Sequence, residues 1–187
     1  TLFRSDFSAA VDFLGLQKEV DRNRIGILGI CGWGGMALNA ASMDTRVKAV
    51  ATSVMYDMSR AMGHGVGDGK DRYSTSDRRA VLQYLNAQRW KDAENGTFAH
   101  GGHDIYVDEN GKVTAAERIL PEALPDNPNP VLKEFFDYYR MPRGFHARSV
   151  NSTGAWTATT PLSFMNMPLL SYGREITIPT LIVTGEK

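Results

Sequence analysis

The stretch from Arg24 to Gly35, Arg-Ile-Gly-Ile-Leu-Gly-Ile-Cys-Gly-Trp-Gly-Gly, limits what this chain can fold into more than any other part of it. Apolar, β-prone residues from Ile25 to Ile30 run straight into Cys31, and glycines follow at 32, 34 and 35. A run that is apolar on both faces predicts a buried, parallel strand, and the glycines predict a sharp turn. The segment Gly34 to Met43, rich in small residues, predicts a helix immediately beyond.

The flanks extend this pattern. Phe7, Ala10, Val11 and Leu14 fall at i, i+3, i+4 and i+7, so a short amphipathic helix is expected, with Ser5 or Asp6 as N-cap and Gly15 as stop. Asp44-Thr45-Arg46 turns the chain into a second strand, Val47 to Met55, which ends at Tyr56-Asp57. Helix, strand, helix, strand in that order predicts right-handed βαβ units and an α/β fold with a mostly parallel sheet.

From Met58 to about Glu175 the alternation is lost. Gly63, Gly65, Gly67 and Gly69 mark a loop, and Ser74 with Asp77 three residues later predicts a capping box that opens a helix to about Asp92. Ile105 to Thr114 alternates around Asn110-Gly111, a strong hairpin signal. Prolines at 121, 125, 128 and 130 punctuate a linker before an aromatic helix, Val131 to Arg140, which is read as part of the core of this region. The stretch Phe145 to Tyr172 has no clean period, and Ile176 to Thr184 reads as another buried strand. The expected organisation is therefore a core of residues 1–57, an inserted cap of residues 58–175 and a return strand within 176–187. Neither end resembles a natural domain boundary, so a fragment of a longer protein is expected, one that would hide any signal peptide.

Composition narrows the function. Lys and Arg number 21 and balance 21 Asp and Glu, so the electrostatic footprint of a nucleic-acid binder is missing. One cysteine precludes an internal disulfide, and there is no run of about 18 apolar residues, so a cytoplasmic protein without a membrane partner is expected. Metal sites are not expected. Asp108, Asn110, Gly111 and Glu117 fit positions of a calcium loop, but Tyr106 stands where its first aspartate belongs. His100 and His103 lack a third ligand at zinc spacing. The glycines do not form Gly-x-Gly-x-x-Gly in register, and no Gly-Lys-Ser/Thr follows, which argues against a phosphate-binding turn. No cofactor is called for.

A nucleophile on a turn between a strand and a helix is exposed at the carboxyl edge of the sheet. There the orphan N-H groups of the helix can activate a thiol and stabilise an oxyanion. Cys31 occupies that position, with Gly29 two residues before it and the unobstructed N-H of Gly32 after it. Trp33 stands where the pattern small-x-nucleophile-x-small asks for a small residue, and the glycines come one position late. A buried cysteine that acts as a small hydrophobe is the plain alternative.

At these residues the chain resembles the α/β-hydrolase superfamily, and within it the dienelactone-hydrolase-like enzymes, whose turn reads Gly-x-Cys-x-Gly-Gly. The resemblance extends through the helix Gly34 to Met43 and the strand Val47 to Val54, and to an inserted segment that leads back to a strand. It implies a hydrolase for a small ester, lactone or thioester, with a triad in the chain order cysteine, acid, histidine. Glu186, after the last strand, and Asp57, after the second, are the candidate acids, and the acid can also lie beyond Lys187. Asp57 has a turn-capping role as its alternative. Of His64, His100, His103 and His146, only His146 lies in the segment that returns to the sheet, so it is the candidate histidine within this sequence; the resemblance places the histidine after the acid, so it too can lie beyond Lys187. A surface or packing role is the alternative for His146. Gly32, Trp33 and Tyr56 are the candidate oxyanion and substrate-binding residues. The rival reading is a non-catalytic relative that serves as a binding or scaffolding module. Oligomeric state is left open, a homo-oligomer included.

Overall fold

The computed structural model describes residues 2–65, 72–102 and 105–185, with side chains from Ser5 onward. Its contacts fall into two units: residues 1–61 together with 165–187, and residues 62–164. These boundaries lie inside the expected insert of 58–175. Glu186, His103 and most of the glycine loop expected between Gly63 and Gly69 lie outside the described residues.

In the first unit, helix α1 (Leu2–Gly15) leads through a polar turn to strand β1 (Gly26–Ile30), helix α2 (Gly32–Ala41) and strand β2 (Ala49–Ser53). The expected stop at Gly15 holds, whereas α1 starts nearer the N-terminus than Ser5 or Asp6. The βαβ order gives the parallel pairing that it predicts, Gly26 opposite Ala49 through Ile30 opposite Ser53. Strand β7 (Thr180–Val183), the last element of the chain, returns parallel to β2, so the sheet order is β1-β2-β7. The protein is thus an α/β chain with a parallel three-stranded sheet.

The core of this unit lies on one side of the sheet. Val11 of α1 and Ala37, Leu38 and Ala41 of α2 pack against Ile25, Val47 and Val50, with Phe7, Ile27, Ile176 and Ile178 around them. Side chains alternate across a strand, so Ile27 and Gly29 face the helices while Leu28 and Ile30 face away. Those two are 63% and 55% exposed. The expectation of a strand buried on both faces is therefore corrected: among the described residues, only one face is covered. At the end of the chain neither face of β7 is covered among the described residues: Leu181 and Val183 are exposed on one side and Ile182 on the other.

Helix α3 (Met58–His64) carries the chain into the second unit, where α4 (Thr75–Asn95) opens with the expected capping box. The Ser74 hydroxyl accepts from the Asp77 N-H at 3.1 Å, and the Asp77 carboxylate accepts from the Ser74 N-H at 2.9 Å. Near the other end of α4 the buried Asp92 accepts from the Gln88 side chain and the Ala99 N-H, which ties the helix to strand β3 (His100–Gly101). Strands β4 (Ile105–Val107) and β5 (Val113–Ala115) form the expected hairpin. Gly111 adopts φ +75° there, and the Asp108 carboxylate accepts from the N-H groups of Asn110 and Lys112.

Helix α5 (Pro130–Tyr139) begins at an Asn129 cap with proline in its first turn. Helix α6 (Val150–Thr153), strand β6 (Trp156–Thr157) paired antiparallel to β3, and helix α7 (Thr160–Met165) build the stretch that had no readable period. The buried apolar residues of this unit include Val81, Leu85, Ile105, Leu120 and Phe164. The expected aromatic core on α5 is not formed. No residue of that helix is buried, and Tyr138 packs instead on Tyr139, on Gly144 and under Arg143.

Candidate functional site

Cys31 sits between β1 and α2, and its backbone is the sharpest feature of the fold. It has φ 57° and ψ −134°, a conformation that side-chain-bearing residues rarely adopt and that costs about 1–3 kcal/mol. The surrounding structure fixes it from both sides. Its N-H donates to the Ser53 carbonyl at 3.0 Å, which extends the β1–β2 ladder to the turn, and its own carbonyl accepts from the Gly34 N-H at 3.0 Å. The side chain is exposed at the carboxyl end of the strand, and it caps no helix N-H.

The glycines around it are there to let chain approach chain. A methyl group on Gly29 would lie 2.7 Å from the Gly34 Cα, the Trp33 carbonyl oxygen and the Ala37 methyl, so strand and helix meet with no room for a side chain. The later glycines receive the segment that leaves β2. Met55 blocks any side chain at Gly34. At Gly32 a Cβ would lie 2.8 Å from the Met58 sulfur and 3.4 Å from the Tyr56 hydroxyl, and at Gly35 one would lie 3.1 Å from the Tyr56 carbonyl. Val54, at the start of that segment, is itself held at φ 45°, with its N-H donating to the Val183 carbonyl at 2.8 Å. The turn is therefore a joint between residues 29–35 and residues 54–58.

Trp33 does not enter this joint. It points out of the turn, and its ring meets Phe7 of α1 edge-on at 6.0 Å. The close approaches fall at Gly29 and Gly34, which is why a large residue is tolerated between Gly32 and Gly34.

Cys31, Gly32, Trp33, Tyr56 and Asp57 share the first unit. Asp57 caps α3: one of its carboxylate oxygens accepts from the N-H of Ser59 at 2.8 Å, the N-H of Arg60 at 3.1 Å and the Ser59 hydroxyl. His146 belongs to the second unit, where it is exposed; its Nδ1 accepts from the Arg148 N-H at 3.2 Å. Among the described residues, no imidazole or carboxylate is hydrogen-bonded to the Cys31 thiol, and no group of three or more His, Cys, Asp or Glu residues has metal-site geometry. No helix is long and apolar enough to cross a membrane, again among the described residues.

Sequence reasoning missed Thr52, Val54, Met55 and Met58. Thr52 is buried on the helix-covered face, and its hydroxyl has no hydrogen-bond partner. The only sequence signal for the two methionines is the excess of glycine at 32, 34 and 35, which implies a close neighbour without naming it. A groove of about 520 Å³ lined by Leu16, Arg22, Ile25, Arg46 and Lys48 lies elsewhere, where the chain enters β1 and β2. Ligands of parallel sheets bind at the opposite, carboxyl ends of the strands, so Cys31 is the better placed of the two.

A comparison with protein-family models finds no match. The chain is 50% identical over 183 residues to the uncharacterized protein PA2218 of Pseudomonas aeruginosa. It is similar to PA2218 along 97% of its own length and 44% of the relative's. The uncharacterized protein YcjY of Escherichia coli is 27% identical over 138 residues, which is 74% of this chain and 39% of that one. A crystal structure of the hypothetical protein PA2218 matches with a TM-score of 0.82 and 49% identity, over 98% of this chain and 51% of that one. The chain spans about half or less of the length of the relatives that it matches.

Proposed function

We propose that this chain carries the nucleophile turn of an α/β-hydrolase of the dienelactone-hydrolase-like kind, acting on a small carboxylic ester, lactone or thioester. The observation that carries the reading is the strained backbone of Cys31 on an exposed strand-to-helix turn, with Gly29 and Gly34 in contact beneath it. A nucleophile elbow needs that combination, because the strain lifts the reactive atom clear of the sheet and sets it over the helix N-terminus.

In this reading the Cys31 thiolate attacks the acyl carbon, and the carbonyl electrons move onto oxygen. The Gly32 N-H, at the first position of α2, donates to that oxyanion. Collapse of the intermediate expels the alcohol or thiol, which takes up a proton, and water then hydrolyses the acyl-cysteine. The histidine and acid that move these protons are assigned to the longer polypeptide. The test uses the full-length protein with a panel of p-nitrophenyl acyl esters. Cys31→Ala is expected to abolish turnover, and retention of full turnover would sink the assignment.

A non-catalytic binding module is the rival. What favours it is that Asp57 is engaged in capping α3 and that no described residue is hydrogen-bonded to the Cys31 thiol. Iodoacetamide separates the two readings. An activated thiol in the full-length protein alkylates well ahead of free cysteine near neutral pH, and a merely exposed one alkylates at about the same rate.

A further inference from the structure

The groove at the amino ends of β1 and β2 has a wall that is tied in place. The second half of α1 forms that wall, and two contacts hold it. Asp12 pairs with Arg46, in the turn before β2, and the Gly15 carbonyl accepts from Arg22 Nε, in the turn before β1. The helix is thereby fixed to both strand entries, and the groove that these residues line holds about 520 Å³. Pockets for small molecules span about 300–1,000 Å³. A ligand of that size meets a preformed site, so little ordering is added on binding.

The lining joins two kinds of surface. Val11 and Ile25 give a buried apolar floor, and Leu16, 75% exposed, gives an apolar lip. Along the same lining Arg22, Arg46 and Lys48 stand against one carboxylate, Asp12. Arg46 is taken up by Asp12 and Asp44. Arg22 and Lys48 are different. Arg22 lays its stem against Gly15 and donates only its Nε to the carbonyl there, and Lys48 Nζ donates to the Thr45 carbonyl at 3.0 Å. Among the described residues neither is paired with a carboxylate. Backbone carbonyls thus hold both cations in position while the Arg22 Nη groups and two of the Lys48 ammonium protons stay available to an anion.

We propose that this groove binds an anionic amphiphile: a carboxylate or phosphate head held by Arg22 and Lys48, and an alkyl body of about six to ten carbons laid over Val11, Leu16 and Ile25. A wholly polar anion leaves Leu16 in water. A neutral apolar ligand leaves the two cations without a counter-charge, so the lining is matched only by a molecule that carries both parts. The site lies at the opposite ends of the strands from Cys31. It is a separate binding function, and it holds whatever chemistry Cys31 performs.

Titration calorimetry of the full-length protein with octanoate and octyl phosphate tests it, with octanol and acetate as controls. At least one of the two amphiphiles is expected to bind with a Kd below about 1 mM, and both controls at least about tenfold more weakly. The tighter of the two amphiphiles identifies the head group. Combining Arg22→Gln with Lys48→Gln should weaken that binding about tenfold or more, and Leu16→Ser, at an exposed position, about fivefold. Failure of both amphiphiles to bind at about 1 mM overturns the proposal, as does octanol or acetate binding as well as they do. Unchanged affinity in the variants overturns it too, because the ligand then sits elsewhere. Where the double variant does not fold, Lys48→Gln and Leu16→Ser singly give the same decision.

Discussion

Gly29 and Gly34 meet backbone to backbone: a methyl group on the first would lie 2.7 Å from the Cα of the second. Neither partner of that contact can rotate away, since one lies in β1 and the other in the first turn of α2. Gly29→Ala is therefore expected to destabilise the protein by about 2–3 kcal/mol, through overpacking against backbone. Gly34→Ala belongs to the same class because Met55 fills its side-chain space. Gly173→Ala, with nothing within 4 Å of its Cβ position, stays within about 1 kcal/mol of the parent. Urea denaturation curves of the three variants give this ranking, and a tolerated alanine at Gly29 would contradict the joint.

What could be read from the sequence was what is decided locally. Ser74 and Asp77 announced their capping box, Asn110-Gly111 its hairpin, and Gly15 the end of α1, because each signal and its partner lie within a few residues. The parallel sheet was legible because helix and strand alternate around β1. What was not legible depends on residues distant in sequence. Nothing near Leu28 says whether its side of the sheet is covered, since a run apolar on both faces predicts burial without naming the cover. Trp33 looked like a misfit because spacing alone cannot show that the closest approaches fall at Gly29 and Gly34. The glycines at 32, 34 and 35 answer to Met55, Tyr56 and Met58, about twenty residues on, and no local pattern links the two segments.

Thr52 offers a simpler case. Its hydroxyl is buried on the helix-covered face without a partner, so the folded state bears the loss of its hydration with no hydrogen bond in return. Thr52→Val keeps the shape and removes the stranded group. The expected gain is about 0.5–1.5 kcal/mol, read as a rise in the thermal midpoint. A fall would show that the hydroxyl has a partner in solution, such as an ordered water.

Asp44 gives the acid branch of the stability curve. Its carboxylate takes a bidentate pair from Arg46, at 2.8 Å from Nε and 2.7 Å from Nη2, and accepts the Arg46 N-H at 3.1 Å. The Arg46 side-chain hydrogen bonds hold its pKa at about 2, below the usual 3.8. The folded state therefore prefers the ionised form. That contribution is present in full above 3.8 and is lost as pH falls through this value toward about 2. Asp44→Asn should lower stability near neutral pH and flatten the decline between about pH 5 and pH 2, measured as urea midpoints across that range. An unchanged slope would mean that Asp44 is not the group being titrated.

The strain at Cys31 predicts opposite effects on stability and on chemistry. At φ 57° and ψ −134° a Cβ is penalised, and the exposed thiol has little packing to lose, so glycine relieves about 1–3 kcal/mol of strain. Part of that is offset by the greater freedom of glycine in the unfolded chain, about 0.5–1 kcal/mol. Cys31→Gly should then be more stable than the parent by about 1 kcal/mol, while in the full-length protein it loses the proposed hydrolysis completely. Val54, at φ 45°, is the control: Val54→Gly relieves strain at the partner segment and leaves the thiol in place. Thermal melts paired with acyl-ester turnover distinguish the outcomes. If Cys31→Gly melts below the parent, the turn is not strained in solution, and the main support for a nucleophile at that position is gone.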